Sequence, residues 1–112
     1  DLQDSFILPE PCENSDPSWF GFLITCKEGC DRNKVVRYAE EQGVQTRMLF
    51  SGNLTKHPCF DQMRREGRGY RIAGDLTVTD QIMTDTFWIG VYPGMTDAMI
   101  DRMIRVLKEA VK

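Results

Sequence analysis

The sequence predicts an α+β fold, a two-layer sandwich in which a small, mainly antiparallel three-stranded sheet carries helices on one face. Three runs rich in aromatic and β-branched residues, at 18–26, 44–50 and 87–92, predict the strands. Apolar residues at three- and four-residue steps between and after these runs predict amphipathic helices. With 112 residues, the chain can form one domain around one core. Such a sheet and its helices bury their apolar faces against each other, which gives two layers.

Residues 1–17 are rich in Pro, Asp, Glu, Asn and Ser. Their three prolines argue against a helix, and only residues 6–8 could form a short strand or an anchoring plug. We therefore expect a connector over 1–17 and a folded domain over 18–112.

The first half of that domain reads as strand, helix, strand. Both faces of the 18–26 run are apolar in places, which predicts a central strand. Asp31 is a suitable N-cap for a helix over 32–42, and Gly43 stands where a helix-terminating glycine is expected. The second strand follows.

The second half predicts a short helix over 58–65, a flexible glycine-bearing segment over 66–74, and a helix from Thr79 to Asp85 capped by Thr79. The third strand comes next, and then a closing helix capped by Thr96. The apolar face of that last helix comprises Met99, Ile100, Met103, Ile104, Leu107 and Val111.

Charge and hydropathy exclude several classes of protein. The net charge of −3 and the acidic isoelectric point argue against a nucleic-acid partner. No apolar run approaches the roughly 20 residues of a membrane helix, so we expect no membrane partner. The sequence begins without Met and without a recognisable signal peptide, and we expect it to be an excised piece of a longer protein.

The four cysteines, Cys12, Cys26, Cys30 and Cys59, match no strong metal-binding spacing. Convergence of three of them with His57 on a metal is an alternative, but we favour reduced thiols in a cytoplasmic protein and no metal.

The most informative stretch is 45–60, where a strand breaks at Ser-Gly-Asn before Pro58 opens a helix. Arg47, Asn53, Thr55 and His57 place polar donors around one strand end. Loops at strand ends commonly carry function, so we predict a binding site here.

Several segments of the sequence resemble motifs of one family. The strand 46–50, with Pro58 and Phe60 after it, resembles the small-domain motif of sugar aminotransferases of the DegT/DnrJ/EryC1/StrS type. Residues 75–80 and 87–96 are similar to that family's capped helix, last strand and closing helix. The resemblance covers nearly the whole sequence and implies the C-terminal small domain of a fold used by pyridoxal-phosphate-dependent transferases.

Within that family, residues 13–22 and the segment from Arg47 to Thr55 look like the CDP-4-keto-6-deoxyglucose 3-dehydrases of lipopolysaccharide O-antigen synthesis. Ordinary aminotransferases of the family usually carry Pro-Leu-His where this chain has residues 52–54, and Gln-Pro where it has 57–58. These departures favour the dehydrase.

The resemblance implies a parent lyase that removes the C3 hydroxyl of a CDP-hexose with pyridoxamine phosphate. It further implies a homodimer, a reductase partner and a [2Fe-2S] cluster whose ligands lie outside this sequence. We expect neither cofactor on this fragment, no catalytic residue within it, and no activity in isolation.

The resemblance also suggests roles. Arg47 suits a diphosphate or a sugar hydroxyl, the alternative being an ion pair with Asp61 or Glu66. Asn53 could contact substrate or hold a left-handed turn, and His57 could carry a proton or simply start a helix on the surface.

Trp19 and Phe20 could form an apolar wall of the coenzyme pocket, with ordinary core packing as the alternative. Two other functions stay open. One is the small domain of a pyridoxal-phosphate-dependent sugar-nucleotide aminotransferase. The other is a stand-alone ferredoxin-like ligand-binding module with Arg47 and Asn53 as effector contacts.

Overall fold

The structure, a computed structural model, describes residues 2–112. Within that range the strands are β1 (Phe6–Ile7), β2 (Gly21–Cys26), β3 (Thr46–Met48) and β4 (Thr86–Gly90). The helices are α1 (Leu2–Ser5), α2 (Arg32–Glu41), α3 (Asp61–Glu66), α4 (Thr77–Asp85) and α5 (Asp97–Ala110), with 3₁₀ turns at Leu54–Lys56 and Pro58–Phe60.

The strands form one antiparallel sheet in the order β1-β2-β4-β3. The predicted α+β class is confirmed, and β2 is central as expected. The sheet has four strands instead of three because Phe6–Ile7 pairs with Cys26 and Thr25 at one edge.

The described part of residues 1–17 is more ordered than its composition suggested. Helix α1 precedes the first proline, so the prediction that this segment holds no helix is wrong. Phe6 is 1% exposed and packs edge-to-face on Phe87, with ring centroids 6.5 Å apart. The division of the chain at residue 17 stays a prediction.

The core lies between one face of the sheet and helices α2 and α5. Alternation along the strands turns Ile24, Phe87 and Ile89 toward these helices. Val35 and Ala39 of α2, with Val106, Leu107 and Ala110 of α5, complete this buried cluster. The other face, which carries Leu23, Arg47 and Trp88 side by side, lies on the opposite side of the sheet from this core.

Local cap chemistry explains most helix limits. The Asp31 carboxylate accepts from the N–H groups of Asn33 and Lys34, and Thr96 accepts from the N–H of Met99, as predicted. The start of α4 differs: it begins at Thr77, because the Asp75 carboxylate accepts from the N–H of Thr77 at 3.1 Å. The prediction that Thr79 caps this helix is therefore wrong.

Candidate functional site

A cavity of about 470 Å³ opens on the face of the sheet opposite α2 and α5. Its size falls in the range of small-molecule sites, about 300–1,000 Å³. It brings together two of the residues singled out from the sequence, Arg47 and Phe20. The full lining is Phe20, Gly21, Gln45, Arg47, Met48, Phe50, Trp88, Ile89 and Gly90.

The cavity is built around Trp88 of β4. The rings of Phe20 and Phe50 each lie with centroids 5.2 Å from that of Trp88. Gly21 makes room for the indole, since a Cβ there would stand 2.6 Å from Cε3 of Trp88. Aromatic rings in such tilted pairs attract one another through their quadrupoles.

Phe20 and Phe50 are unusual because they are 83% and 77% exposed. Phe50 also adopts a φ of 47°, a left-handed conformation uncommon for a bulky side chain. Strained backbone of this kind tends to cluster at functional sites. These two rings therefore form an apolar surface that nothing in residues 2–112 covers fully.

Arg47 supplies the positive charge of the cavity. It stands opposite Trp88 in the β3–β4 register and is exposed. Within residues 2–112 it makes no hydrogen bond or ion pair; its charge acts at longer range on Glu40. The pKa of Glu40 is lowered mainly by hydrogen bonds from Thr46, with a smaller contribution from Arg47.

The alternative structural role for Arg47 is not observed. Asp61 forms its ion pair with Arg64, and Glu66 forms its ion pair with Arg68. The guanidinium of Arg47 is thus left available for an anion, the partner for which its forked donors are suited.

Asn53 lies elsewhere and is used internally. It is 2% exposed, and its Oδ1 accepts from the N–H and hydroxyl of Thr55 at 3.0 and 2.7 Å. Its Nδ2 donates to Asp80 at 2.7 Å. Its backbone is extended, so it does not hold the left-handed turn considered above. Asn53 caps the first 3₁₀ turn, and substrate contact by its side chain stays an untested prediction.

His57 holds the loop that follows β3. Its Nε2 donates to the carbonyl of Ser51 at 2.5 Å, and its own carbonyl accepts from Arg64 at 2.9 Å. His57 lines a smaller cavity of about 240 Å³, which shares Met48 and Phe50 with the larger one. Trp19 lines neither of these two cavities.

Sequence reasoning missed Trp88 and gave Phe50 no role. The signal for Trp88 is its position in the third predicted strand, where alternation places it on the opposite face of the sheet from Phe87 and Ile89. Only the register with β3 reveals that this face also carries Arg47.

The cysteines form no metal site within the described residues, where no three His, Cys, Asp or Glu side chains converge. Cys12 and Cys59 are exposed, whereas Cys26 is buried. The pKa of the Cys26 thiol is raised, mainly by burial and to a smaller extent by the neighbouring Cys30.

Of the helices over residues 2–112, none has the length and apolar character required to cross a membrane.

Known proteins resemble this chain closely. A stretch of 104 residues is 47% identical to the lipopolysaccharide biosynthesis protein RfbH of Salmonella typhimurium, and covers 91% of this chain and 23% of that protein. A stretch of 107 residues is 47% identical to dTDP-4-dehydro-2,6-dideoxy-D-glucose 3-dehydratase of Saccharopolyspora spinosa, and covers 94% of this chain and 22% of that protein. The chain therefore spans less than a quarter of the length of these relatives.

Solved structures share the fold. A DegT DnrJ EryC1 StrS aminotransferase from Brucella abortus superposes with a TM-score of 0.78 at 17% identity, covering 98% of this chain and 27% of that one. GDP-4-keto-6-deoxymannose-3-dehydratase (ColD), solved with GDP-perosamine, gives a TM-score of 0.72 at 19% identity, and the match covers 96% of this chain and 26% of that chain. The architecture matches the small domain of these aminotransferase-fold proteins.

The family match extends over residues 1–108, nearly the whole sequence. Together with the two relatives at 47% identity, it shows that this chain belongs to the DegT/DnrJ/EryC1/StrS aminotransferase family.

Proposed function

We propose that this chain is the C-terminal small domain of a sugar-nucleotide 3-dehydrase, and that Arg47 binds the diphosphate of the substrate. The observation that carries the proposal is an unpaired guanidinium in a cavity walled by Phe20, Phe50 and Trp88. The dehydrase activity is favoured because both curated relatives are similar over more than nine-tenths of this chain, and one is named a sugar 3-dehydratase.

The same proposal also specifies the substrate, the assembly and the cofactors of the parent enzyme. The substrate is a CDP-hexose that loses its C3 hydroxyl in O-antigen synthesis, and the parent is a cytoplasmic homodimer served by a reductase. The parent uses pyridoxamine phosphate and a [2Fe-2S] cluster. The name of RfbH supports lipopolysaccharide synthesis, and an Escherichia coli 3-dehydratase of the same fold has been solved with hydrated pyridoxal phosphate.

The residues of the cavity do not fit the coenzyme on their own. Their side chains offer one guanidinium, one amide, one indole, a thioether and apolar groups, and the lining includes neither a carboxylate for a pyridine nitrogen nor a lysine or histidine. We therefore assign coenzyme and cluster to parts of the parent outside this sequence, and we expect the isolated chain to be inactive.

This chain's residues would act on the substrate by binding and exclusion. Arg47 holds a phosphate through forked hydrogen bonds, which fixes the position of the sugar. The exposed rings of Phe20 and Phe50 displace water from the same cavity, and this strengthens the charge interaction with Arg47. Buried Asn53 and its partner Asp80 keep the loop after β3 in place.

The test is Arg47→Ala in the intact parent. Loss of one charge-assisted pair is expected to lower kcat/KM for the sugar nucleotide by about 10- to 100-fold, with unchanged unfolding midpoint. Arg47→Lys should recover only part of the loss because an ammonium lacks the fork.

Arg105→Ala, at an exposed position on α5, is the matched control for loss of a surface charge. Equal turnover by the Arg47→Ala and Arg105→Ala enzymes would remove Arg47 from the site. Absence of dehydration by the unaltered parent would remove the activity itself.

A further inference from the structure

Two of the four cysteines lie together where strand β2 ends. Cys26 is the last residue of β2 and is 1% exposed, whereas Cys30 is partly buried and packs against the same core. Between them the backbone turns, since the N–H of Cys30 donates to the carbonyl of Lys27 at 3.0 Å. Both cysteines are free thiols, and the side chains of Cys26 and Cys30 share a hydrogen bond. The turn therefore holds one thiol beside the other.

The two thiols differ in their access to solvent. Cys30 lines a cavity of about 300 Å³ between the end of α1 and the start of α2, together with the exposed residues Asp4, Glu28, Asp31 and Lys34. Cys26 does not line this cavity. A small molecule that arrives from solvent therefore meets the sulfur of Cys30 first.

The charge around Cys30 distinguishes between possible oxidants. The cavity is lined by three carboxylates and one ammonium group, so its surroundings are negative. Glutathione disulfide is large and negatively charged, and like charges in contact are costly. Hydrogen peroxide is small and uncharged, so these carboxylates do not repel it.

We propose that Cys26 and Cys30 form a reversible oxidation site, at which hydrogen peroxide converts the two thiols into a disulfide. The sulfur of Cys30 attacks a peroxide oxygen, the O–O bond breaks, and the departing hydroxide takes the thiol proton and leaves as water. The sulfur of Cys26 then attacks the resulting sulfenic acid. The S–S bond forms, the S–O bond breaks, and the second hydroxide leaves as water with the proton of Cys26. Two thiols thus lose two electrons, and one peroxide becomes two waters.

The buried thiol suits the second step. Burial raises the pKa of Cys26, which keeps it protonated and unreactive toward solvent-borne oxidants. Its position beside Cys30 makes the second step intramolecular, which favours the disulfide over further oxidation of the sulfenic acid. Disulfides of this transient kind are the ones found in reducing compartments, so the site agrees with thiols that are reduced at rest.

This oxidation site is separate from the cavity that contains Arg47. Cys26 follows Ile24 by two positions along β2, and both side chains belong to the core that faces α2 and α5. The cavity with Arg47 lies on the opposite face of the sheet. The inference therefore goes beyond the proposed function and does not depend on it.

Trypsin provides a direct test because Lys27 lies between the two cysteines. Cleavage after Lys27 and Arg32 releases residues 1–27 and 28–32 as separate peptides. In a chain with Cys12→Ser and Cys59→Ser, each of these peptides holds one cysteine and no other cysteine remains. Both replaced residues are exposed, and circular dichroism checks that the chain stays folded.

The folded chain is treated with hydrogen peroxide, its remaining thiols are alkylated in urea, and it is digested without reductant. Mass spectrometry should then find peptides 1–27 and 28–32 joined, at the sum of their masses less two hydrogens. Dithiothreitol should separate them. Glutathione disulfide at the same concentration should give at least about tenfold less of the joined species, because of its size and charge.

Two variants separate the roles of the cysteines. Cys26→Ala removes the second thiol, so peroxide should carry Cys30 on to the sulfinic acid, seen as two added oxygens on peptide 28–32. Cys30→Ser removes the accessible thiol, and Cys26 should then react with peroxide at least about tenfold more slowly than Cys30 does in the unaltered pair.

The inference is overturned if peptides 1–27 and 28–32 stay separate after peroxide has modified Cys30. It is equally overturned if Cys26 in the Cys30→Ser chain is oxidised as fast as Cys30 is in the unaltered pair, since Cys26 would then not need its neighbour. The second test requires only an exterior substitution, so it holds even if Cys26→Ala does not fold.

Discussion

At the scale of single residues, the structure distinguishes polar groups that hold the fold from those left free. Asn53 and Arg47 occur six positions apart, and both are polar residues of the same predicted site. The first is buried with its amide nitrogen and oxygen both engaged, whereas the second is exposed and unpaired within the described residues. Sequence pattern cannot make this distinction because the partner of Asn53, Asp80, comes from a distant helix.

Asn53→Ala should therefore lower the free energy of unfolding by about 1–3 kcal/mol, since it leaves the N–H of Thr55 without its acceptor and removes one of the two side chains, Asn53 and Lys56, that bind the Asp80 carboxylate. Urea unfolding followed by circular dichroism measures the loss. Asn33→Ala, at an exposed position on α2, should change stability by no more than about 0.5 kcal/mol. Equal effects from the two substitutions would contradict the structural role of Asn53.

The facing glycines of β2 and β4 should respond differently to one added methyl group. Gly21→Ala drives a Cβ into the indole of Trp88 and should cost about 1–3 kcal/mol. Gly90→Ala meets open space and has no positive φ to strain, so it should leave the thermal midpoint nearly unchanged. A tolerated Gly21→Ala would mean that Trp88 does not lie over Gly21.

At the scale of elements, one carboxylate ties helix α2 to strand β3. Glu40 accepts from the N–H of Thr46 at 2.6 Å and from its hydroxyl at 2.7 Å. These bonds satisfy the buried Thr46 at the start of β3 and lower the pKa of Glu40 from 4.5. The strand that carries Arg47 is thus anchored by a charge on the neighbouring helix.

This tie should make stability depend on pH. Because the folded-state pKa of Glu40 is lowered, its contribution is complete above pH 4.5 and is lost as pH falls through the folded value. Glu40→Gln should therefore reduce stability at pH 7. Between pH 5 and 3, the variant should lose less further stability than the unaltered chain. Urea midpoints across that range test this, with the exposed Glu41→Gln as control. Parallel pH profiles for Glu40→Gln and the unaltered chain would refute it.

Elements were predictable where their signals are local. Asp31 and Thr96 cap α2 and α5 as predicted, because a cap bonds to N–H groups two or three residues away. The sheet edge formed by Phe6–Ile7 depends on contact with β2, and the cavity depends on the pairing of Arg47 with Trp88. Pairings between distant segments leave no mark in a local pattern, so these features required the structure.

At the scale of the whole molecule, the chain is more extended than its length requires. Its radius of gyration is 16.8 Å, against about 13 Å for a compact domain of this size. Residues 67–76, between α3 and α4, contain no helix or strand and are largely exposed. The glycine-bearing segment predicted over 66–74 corresponds to most of this region.

Trypsin should accordingly cut first after Arg68 or Arg71, because exposed segments without regular structure fit a protease most readily. Mass spectrometry of early digests would identify the sites. Arg102, which lies within α5 and donates to the carbonyl of Gln42, should be cut much later. Early cleavage after Arg102 would show that α5 does not stay docked.

The central strands have a consequence for how the molecule folds. Thr25 and Thr86, whose hydroxyls lie 2.8 Å apart across β2 and β4, are 61 positions apart along the chain. The middle of the sheet can therefore form only after a long loop has closed, which favours slow folding. Since the entropy of closure rises only slowly with loop length, insertions or deletions within residues 67–76, between α3 and α4, should change stability little. This interval is where evolution could remodel the domain at least cost to its sheet.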